Sequence, residues 1–223
     1  MSAPPTDSSD VELAVAVGDG AAALGFPLRP EQTRALVAYL RLVARWNATY
    51  NLTAIRDPAA MVTHHLLDCL AAAVALQRRR APDARRTILD VGSGAGLPGL
   101  VFAVAFPESK VVCVDSVGKK TAFVTQAAAT LGLRNAVAMH ARVETLASPR
   151  FDVIVSRAFA SLHEFVRLTA QLLADNGEWM AMKARLAATE IETFRGLDVA
   201  TEPISVPGLD AKRSIVWMRP HAA

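Results

Sequence analysis

Between Thr87 and Gly99 an apolar strand sequence, Thr87-Ile88-Leu89-Asp90-Val91, runs directly into Gly92-Ser93-Gly94-Ala95-Gly96 and then Leu97-Pro98-Gly99. A strand that ends in glycines lets the main chain approach a ligand closely, and a following helix turns its free N–H groups and positive dipole end toward ligand oxygens. The residue before the glycines narrows the ligand. An acid at Asp90 repels a pyrophosphate on this loop, whereas it attracts the ammonium of the amino acid end of S-adenosylmethionine (SAM). Asp90 therefore favours SAM over a dinucleotide.

The rhythm around this loop supports an α/β fold. From Thr87 onward, short β-rich runs (Thr87 to Val91, Lys110 to Asp115, Ala136 to His140, Phe151 to Ser156, Gly177 to Lys183) alternate with helical stretches at Gly99 to Phe106, Lys119 to Leu131 and Leu162 to Leu173. Such alternation predicts a mostly parallel sheet with helices on both faces. Asp198 to Val206 and Arg213 to Met218 flank Pro207-Gly208-Leu209-Asp210 and predict a terminal antiparallel hairpin. Upstream, Leu36, Val37, Leu40, Val43 and Trp46, then Met61, Val62, Leu66, Leu67 and Leu70, recur at helical spacing. The expected organisation is a disordered tail over 1–9, a helical region over 10–86 and a Rossmann-like domain over 87–223.

Composition bounds the setting. The chain has 223 residues, of which 52% are hydrophobic, enough for a full core. No apolar run is expected to reach the roughly 20 residues of a membrane span, since Glu12, Asp19 and several glycines interrupt the most hydrophobic early segment. The first residues lack a basic signal-peptide start, which points to the cytoplasm. Cys69 and Cys113 sit among apolar neighbours and read as reduced and buried. The net charge is +3, and Arg78, Arg79, Arg80, Arg85 and Arg86 cluster before the first strand. These, with Lys119 and Lys120, could grip phosphates, or the cluster could be a solvated linker.

Chemistry is expected at the strand ends. Gly94, Gly96 and Gly99 spell a literal G-x-G-x-x-G, which keeps a nicotinamide cofactor open. Asp115 closes the second strand about 20 residues beyond the glycines, where a carboxylate can accept both ribose hydroxyls of either cofactor. Arg142-Val143-Glu144 follows the third strand, at the border of the adenine in a SAM fold. Ser156-Arg157-Ala158-Phe159 follows the fourth, and there is no Asn/Asp-Pro-Pro-aromatic string of the kind amine methylation uses. Neither cysteine is placed as the nucleophile that methylation of pyrimidine carbon requires. A ring nitrogen such as guanine N7 needs neither device, since it carries a lone pair and no proton. Trp46-Asn47 and Tyr50-Asn51-Leu52-Thr53 close a helix, with Tyr50 and Asn51 able to contact a base or phosphate. His64, His65 and Asp68 suggest a helix-surface network facing the cleft; no third ligand follows at a spacing that would hold a metal.

Taken together, Trp46-Asn47, Tyr50-Asn51-Leu52-Thr53, His65-Leu66-Leu67-Asp68, Asp90 through Gly99, Asp115-Ser116-Val117-Gly118-Lys119-Lys120, Arg142-Val143-Glu144 and Ser156-Arg157-Ala158-Phe159-Ala160 resemble the bacterial 16S ribosomal RNA guanine-N7 methyltransferase family, GidB. The resemblance implies a SAM-binding Rossmann-like fold and methylation of a guanine in the decoding region of small-subunit RNA, in the subunit or its precursor. It implies SAM contacts from Gly92, Gly94, Leu97, Val143, Glu144 and Arg157, with Asp115 on the ribose. Arg157 is the expected catalytic residue, and Tyr50, Asn51 and Lys183 the expected substrate contacts, in a monomer without metal. Ala184 departs from the family's usual glycine after the lysine. Two rivals stay open on the residues alone: a nicotinamide oxidoreductase and a noncatalytic RNA-binding protein.

Overall fold

The computed structural model describes residues 8–79, 85–159, 161–184, 190, 194 and 196–221. Helix α1 (Ser8–Ala23) begins two residues inside the expected tail, and 1–7 lie outside the described residues. Then come α2 (Pro30–Tyr50), the single turn α3 (Pro58–Met61) and α4 (Asp68–Arg79), the last two joined by a π-helical turn over Val62–Leu67. Asp57 caps α3, its carboxylate accepting from the Ala60 N–H at 2.7 Å.

The rest is a seven-stranded sheet. Strands β1 (Thr87–Val91), β2 (Lys110–Asp115), β3 (Ala136–His140) and β4 (Phe151–Ser156) have the bounds that the sequence predicts, and β5 (Leu173–Lys183) starts earlier. Helices α5 (Gly99–Ala105), α6 (Gly118–Thr130) and α7 (Leu162–Thr169) connect them, and β6 (Leu197–Ile204) with β7 (Arg213–Pro220) forms the hairpin. The order is β3-β2-β1-β4-β5-β7-β6, parallel except for β7 against β5 and β6. The order reverses between β1 and β4, and open α/β sheets bind ligands at such a switch point, beyond the carboxyl ends of the strands.

Alternation along the strands makes two cores. Ile88, Val153, Val155 and Met180 face one side and pack with α1, α2, α4, α5 and α6. Leu89, Ile154, Trp179 and Val216 face the other and pack with α7. The N-terminal helices thus bury their apolar faces on the sheet itself. One consequence escaped the sequence reading: Pro58–Arg79 forms a helical stretch long and apolar enough to cross a membrane, but most of it is buried in this core.

Candidate active site

At the carboxyl ends of β1, β2 and β4 three small cavities adjoin. The first, about 200 Å³, lies between Gly92, Asp115, Val143, Glu144, Phe159 and Leu168. The second, about 210 Å³, shares Gly92 and adds Thr53, His65, Gly94, Leu97 and Arg157. The third, about 280 Å³, shares His65 and Arg157 and adds Asp68, Lys183 and Arg213. Gly92 thus belongs to the walls of the first two cavities, and His65 and Arg157 to those of the second and third, so the three form a row of neighbouring hollows, the groove, along the strand ends.

The glycine loop is held by its neighbours. The N–H groups of Gly92 and Ser93 donate to the Val114 carbonyl at 2.9 and 3.1 Å. Gly92, Gly94 and Gly96 all have positive φ (67°, 58° and 82°), which disfavours any residue with a Cβ. Gly99 has a different reason: a Cβ there would stand 2.4 Å from Cys113 Sγ and 2.8 Å from Asp90 Oδ2, so α5 can start against β1 and β2 only without a side chain. From below, the buried Tyr39 hydroxyl of α2 donates to the Ala95 carbonyl at 2.7 Å.

The two acids at the strand ends differ. Asp115 is 6% exposed and lines the first cavity; its oxygens accept from Gly94 N–H and Val117 N–H, both at 2.9 Å, the Lys120 ammonium lies 3.9 Å from Oδ2, and each oxygen keeps a lone pair outside these hydrogen bonds. Asp90 does not face the groove. It is wholly buried, Oδ2 accepts from Gly99 N–H at 2.8 Å, and Oδ1 has no hydrogen-bond partner among the described residues. Burial pushes its carboxyl up to about 7, against the opposing Gly99 hydrogen bond and the Arg157 charge. The reading of Asp90 as a partner for the ligand's ammonium is corrected accordingly: this carboxylate anchors the start of α5.

Arg157 stands where the second and third cavities meet. Its Nη1 donates to the His64 carbonyl at 3.2 Å and to Asp68 Oδ2 at 3.3 Å. Ser156 Oγ donates to the Val91 carbonyl at 2.8 Å, fixing the loop that carries Arg157 to the end of β1. Val143 is buried, while Glu144 pairs with Arg142 at 2.7 Å, its carboxyl held below the usual range by its own backbone N–H and by Arg142. His65 shares a 2.9 Å hydrogen bond with Thr53 Oγ1, and burial, reinforced by Arg157, lowers its imidazole pKa to about 4. It is neutral at physiological pH. Burial raises the thiols of Cys69 and Cys113, so neither is an available nucleophile. No cluster of three potential metal ligands exists among the described residues.

Other sequence expectations scatter. Lys183 lines the third cavity, its ammonium donating to the Phe159 carbonyl at 3.1 Å and lying 3.3 Å from Glu190 Oε1. Tyr50 stacks on Trp46 with centroids 5.1 Å apart, and Asn51 ends α2 in the left-handed region; from that segment Leu52 and Thr53 line the groove. The described arginines of the cluster lie before β1, at the amino ends of the strands and away from the groove. Arg79 donates to Glu178 at 2.8 Å beneath Trp217, Arg86 is buried with its guanidinium 5.5 Å from the Phe106 ring centroid, and Arg80 lies outside the described residues. The phosphate-gripping expectation fails for Arg79 and Arg86, because folding has already committed their charges. A larger hollow, about 560 Å³, also lies by the amino ends of the strands, but Glu31 and Glu108 pair there with Arg29 and Arg85 at 2.7 and 3.5 Å, and it is remote from the carboxyl ends.

Sequence reasoning missed Tyr39 and Arg213. Tyr39 was visible as the one hydroxyl inside the apolar stripe of α2. Arg213 gave no local signal, because its meaning lies in a pairing with Asp68 at 3.1 Å across 145 residues.

The comparisons agree with this geometry. Residues 32–216 match the GidB family model, described as rRNA small subunit methyltransferase G. The chain is 50% identical over 225 residues to the ribosomal RNA small subunit methyltransferase G of Methylibium petroleiphilum, covering 98% of each chain. It is 52% identical over 206 residues to that of Leptothrix cholodnii, covering 91% of this chain and 94% of the other. Among solved structures, the ribosomal protein L11 methylase of Lactobacillus delbrueckii subsp. bulgaricus superposes with a TM-score of 0.55 at 17% identity, over 68% of this chain and 78% of that one. TrmN from Thermus thermophilus gives 0.53 at 21%, over 71% and 53%. These likenesses establish the Rossmann-like methyltransferase fold, and the two close relatives with the family match establish the rest: the chain belongs to the GidB family of small-subunit ribosomal RNA methyltransferases.

Proposed function

We propose that this chain methylates N7 of a guanine in the decoding region of small-subunit ribosomal RNA, using SAM, as a monomer in the bacterial cytoplasm. The observation that carries the reading is the row of three cavities with shared walls at the strand ends, Asp115 and Glu144 lining the first and Arg157 and Arg213 the third. Its residues fit SAM. The free lone pairs of Asp115 suit ribose hydroxyls, and the slot between Val143, Phe159 and Leu168 suits an adenine with Glu144 at its edge. The backbone at Gly92, Gly94 and Leu97 lines the space for a methionine end. SAM, when bound, supplies a methyl group activated by a sulfonium.

The rest is positioning. Guanine N7 has no proton to remove, so the site needs alignment and charge stabilisation, without a general base. Neutral His65 and the protonated cysteines are consistent with that demand. Arg157 is the group that borders both ligands; donation to guanine O6 orients the base, whereas donation to N7 would occupy the attacking lone pair. Tyr50, Asn51 and Lys183 would contact the RNA around the target. The G-x-G-x-x-G string alone favours the nicotinamide rival, and Gly99 in that string is accounted for by packing against Asp90 and Cys113.

The test is transfer of tritiated methyl from SAM to unmethylated small-subunit particles and to naked 16S RNA, followed by mapping. Label at guanine N7 is expected; label on an exocyclic amine or on carbon, or a covalent RNA–cysteine adduct, would overturn the reading. Arg157→Ala is expected to lower turnover by at least about 100-fold while changing RNA affinity by about threefold or less, the mark of an interaction realised at the transition state.

A further inference from the structure

The third cavity is built by a carboxylate with two arginines. Asp68 has a side chain only 5% exposed, and its two oxygens are divided: Oδ2 meets Arg157 Nη1 at 3.3 Å and Oδ1 meets Arg213 Nε at 3.1 Å. The arginines come from distant elements, Arg157 from the loop after β4 and Arg213 from the first position of β7. Neither spends its guanidinium. Arg157 makes no hydrogen bond through Nε or Nη2 among the described residues, and Arg213, which also donates from Nη1 to the Lys212 carbonyl, makes none through Nη2. Their side chains remain 30% and 21% exposed at a cavity that Lys183 also lines. The π-helical turn lies immediately before Asp68. A π turn carries one more residue than the α turn it replaces, and such turns recur at functional sites.

A buried carboxylate holding two cations, with donors left over, is an arrangement that receives an anion; a neutral ligand would leave net positive charge half-buried. Arg157 lines both the second cavity, beside the glycine loop, and this one, whereas Arg213 lines the third alone. We propose that Arg213 binds a backbone phosphate of the substrate RNA beside the target nucleotide, and that Asp68 is a positioning residue that fixes this phosphate anchor at a set spacing from Arg157. Resting on the guanine-methylation reading, the proposal adds how the base reaches the groove in register: the phosphate anchor sets where the sugar lies, and the sugar sets where N7 meets the methyl.

The experiment measures binding to unmethylated 16S RNA by filter retention across a salt series, SAM affinity by calorimetry, and methyl-transfer kcat and KM. Arg213→Gln keeps a donor for Asp68 and loses the charge. It is expected to lower the log–log salt slope by about 0.7–0.9, the loss of one phosphate contact, and to raise the RNA KM about tenfold. Arg213→Lys is expected to restore the slope. Asp68→Asn should leave the slope unchanged, because both arginines stay charged, yet weaken RNA binding; combined with Arg213→Gln it should weaken binding no further than the stronger single change. SAM affinity should stay within about twofold throughout, a change too small to count as a lost contact.

An unchanged slope in Arg213→Gln overturns the proposal. So does an equal loss of SAM and RNA affinity, which would assign the arginines to the cofactor's carboxylate, or full additivity of the two substitutions. Should Asp68→Asn fail to fold, the Gln and Lys variants of Arg213 still decide. Binding needs no turnover, so a wild-type protein that binds RNA with the expected slope but transfers no methyl to N7 refutes the guanine-methylation reading and leaves the anchor standing. A wild-type protein that methylates normally while Arg213→Gln is silent does the reverse.

Discussion

Two aspartates at neighbouring strand ends show how much a residue's burial decides. Asp115 keeps lone pairs at the groove, so Asp115→Ala is expected to weaken SAM by roughly 1.5–3 kcal/mol, the scale of hydrogen bonds to a charged group, as read by calorimetry on folded protein. Asp90, with its carboxyl pushed up to about 7, instead links stability to pH. Its folded pKa lies above the unfolded value, so its favourable contribution is complete below about pH 4 and is lost as the pH rises through 7. His65 runs the other way: its pKa of about 4 means that folding is disfavoured as the pH falls from about 6.5 toward 4. The two slopes oppose each other over that window. Asp90→Asn removes one of them, so the variant should gain on the wild type as pH rises from 4 to 7, by on the order of 2–4 kcal/mol in urea unfolding. A difference that stays constant with pH would refute the assignment.

At the level of elements, the strand and hairpin positions could be read from the sequence because buried parallel strands are short apolar runs with turn residues between them. Thr87–Val91 and Lys110–Asp115 emerge with the bounds that pattern gives. The earlier start of β5 was hidden, since Asp175, Asn176 and Gly177 read as a turn although they lie within the strand. The π turn was hidden as well, because His64-His65-Leu66-Leu67 fits a helical period whichever way the turn is wound. In the site, the glycines, Asp115 and Arg157 were legible as motif residues. Asp90 was misread because spacing gives a residue's place on a strand and says nothing of how closely the next helix covers it. That covering is testable at the start of α5: Gly99→Ala would force a methyl against Cys113 and Asp90, and should destabilise by about 1–3 kcal/mol, seen as a lower unfolding midpoint.

For the molecule as a whole, Arg79 and Arg86 of the stretch before β1 serve the fold. Arg79 joins the end of α4 to Glu178 on β5 and lies over Trp217 on β7, with its guanidinium 4.7 Å from the ring centroid. Arg79→Ala should therefore cost about 1.5–3 kcal/mol of stability while leaving the salt dependence of RNA binding unchanged, which equilibrium unfolding and the salt series together would show. The helix that this latch secures begins at Asp68 and ends at Arg79, so the groove and the latch share one rigid rod. The pairing of Asp68 with Arg213 also has a meaning in time. A chain emerging from the ribosome presents Asp68 early and Arg213 145 residues later. At several residues per second, tens of seconds or less separate the two; Arg157 and β5 arrive within that interval, and until β7 follows, β5 lacks its neighbour and the third cavity lacks its second cation. The nascent chain thus passes most of its synthesis beside ribosomal RNA before its second guanidinium arrives, and the site becomes complete only when the final hairpin closes.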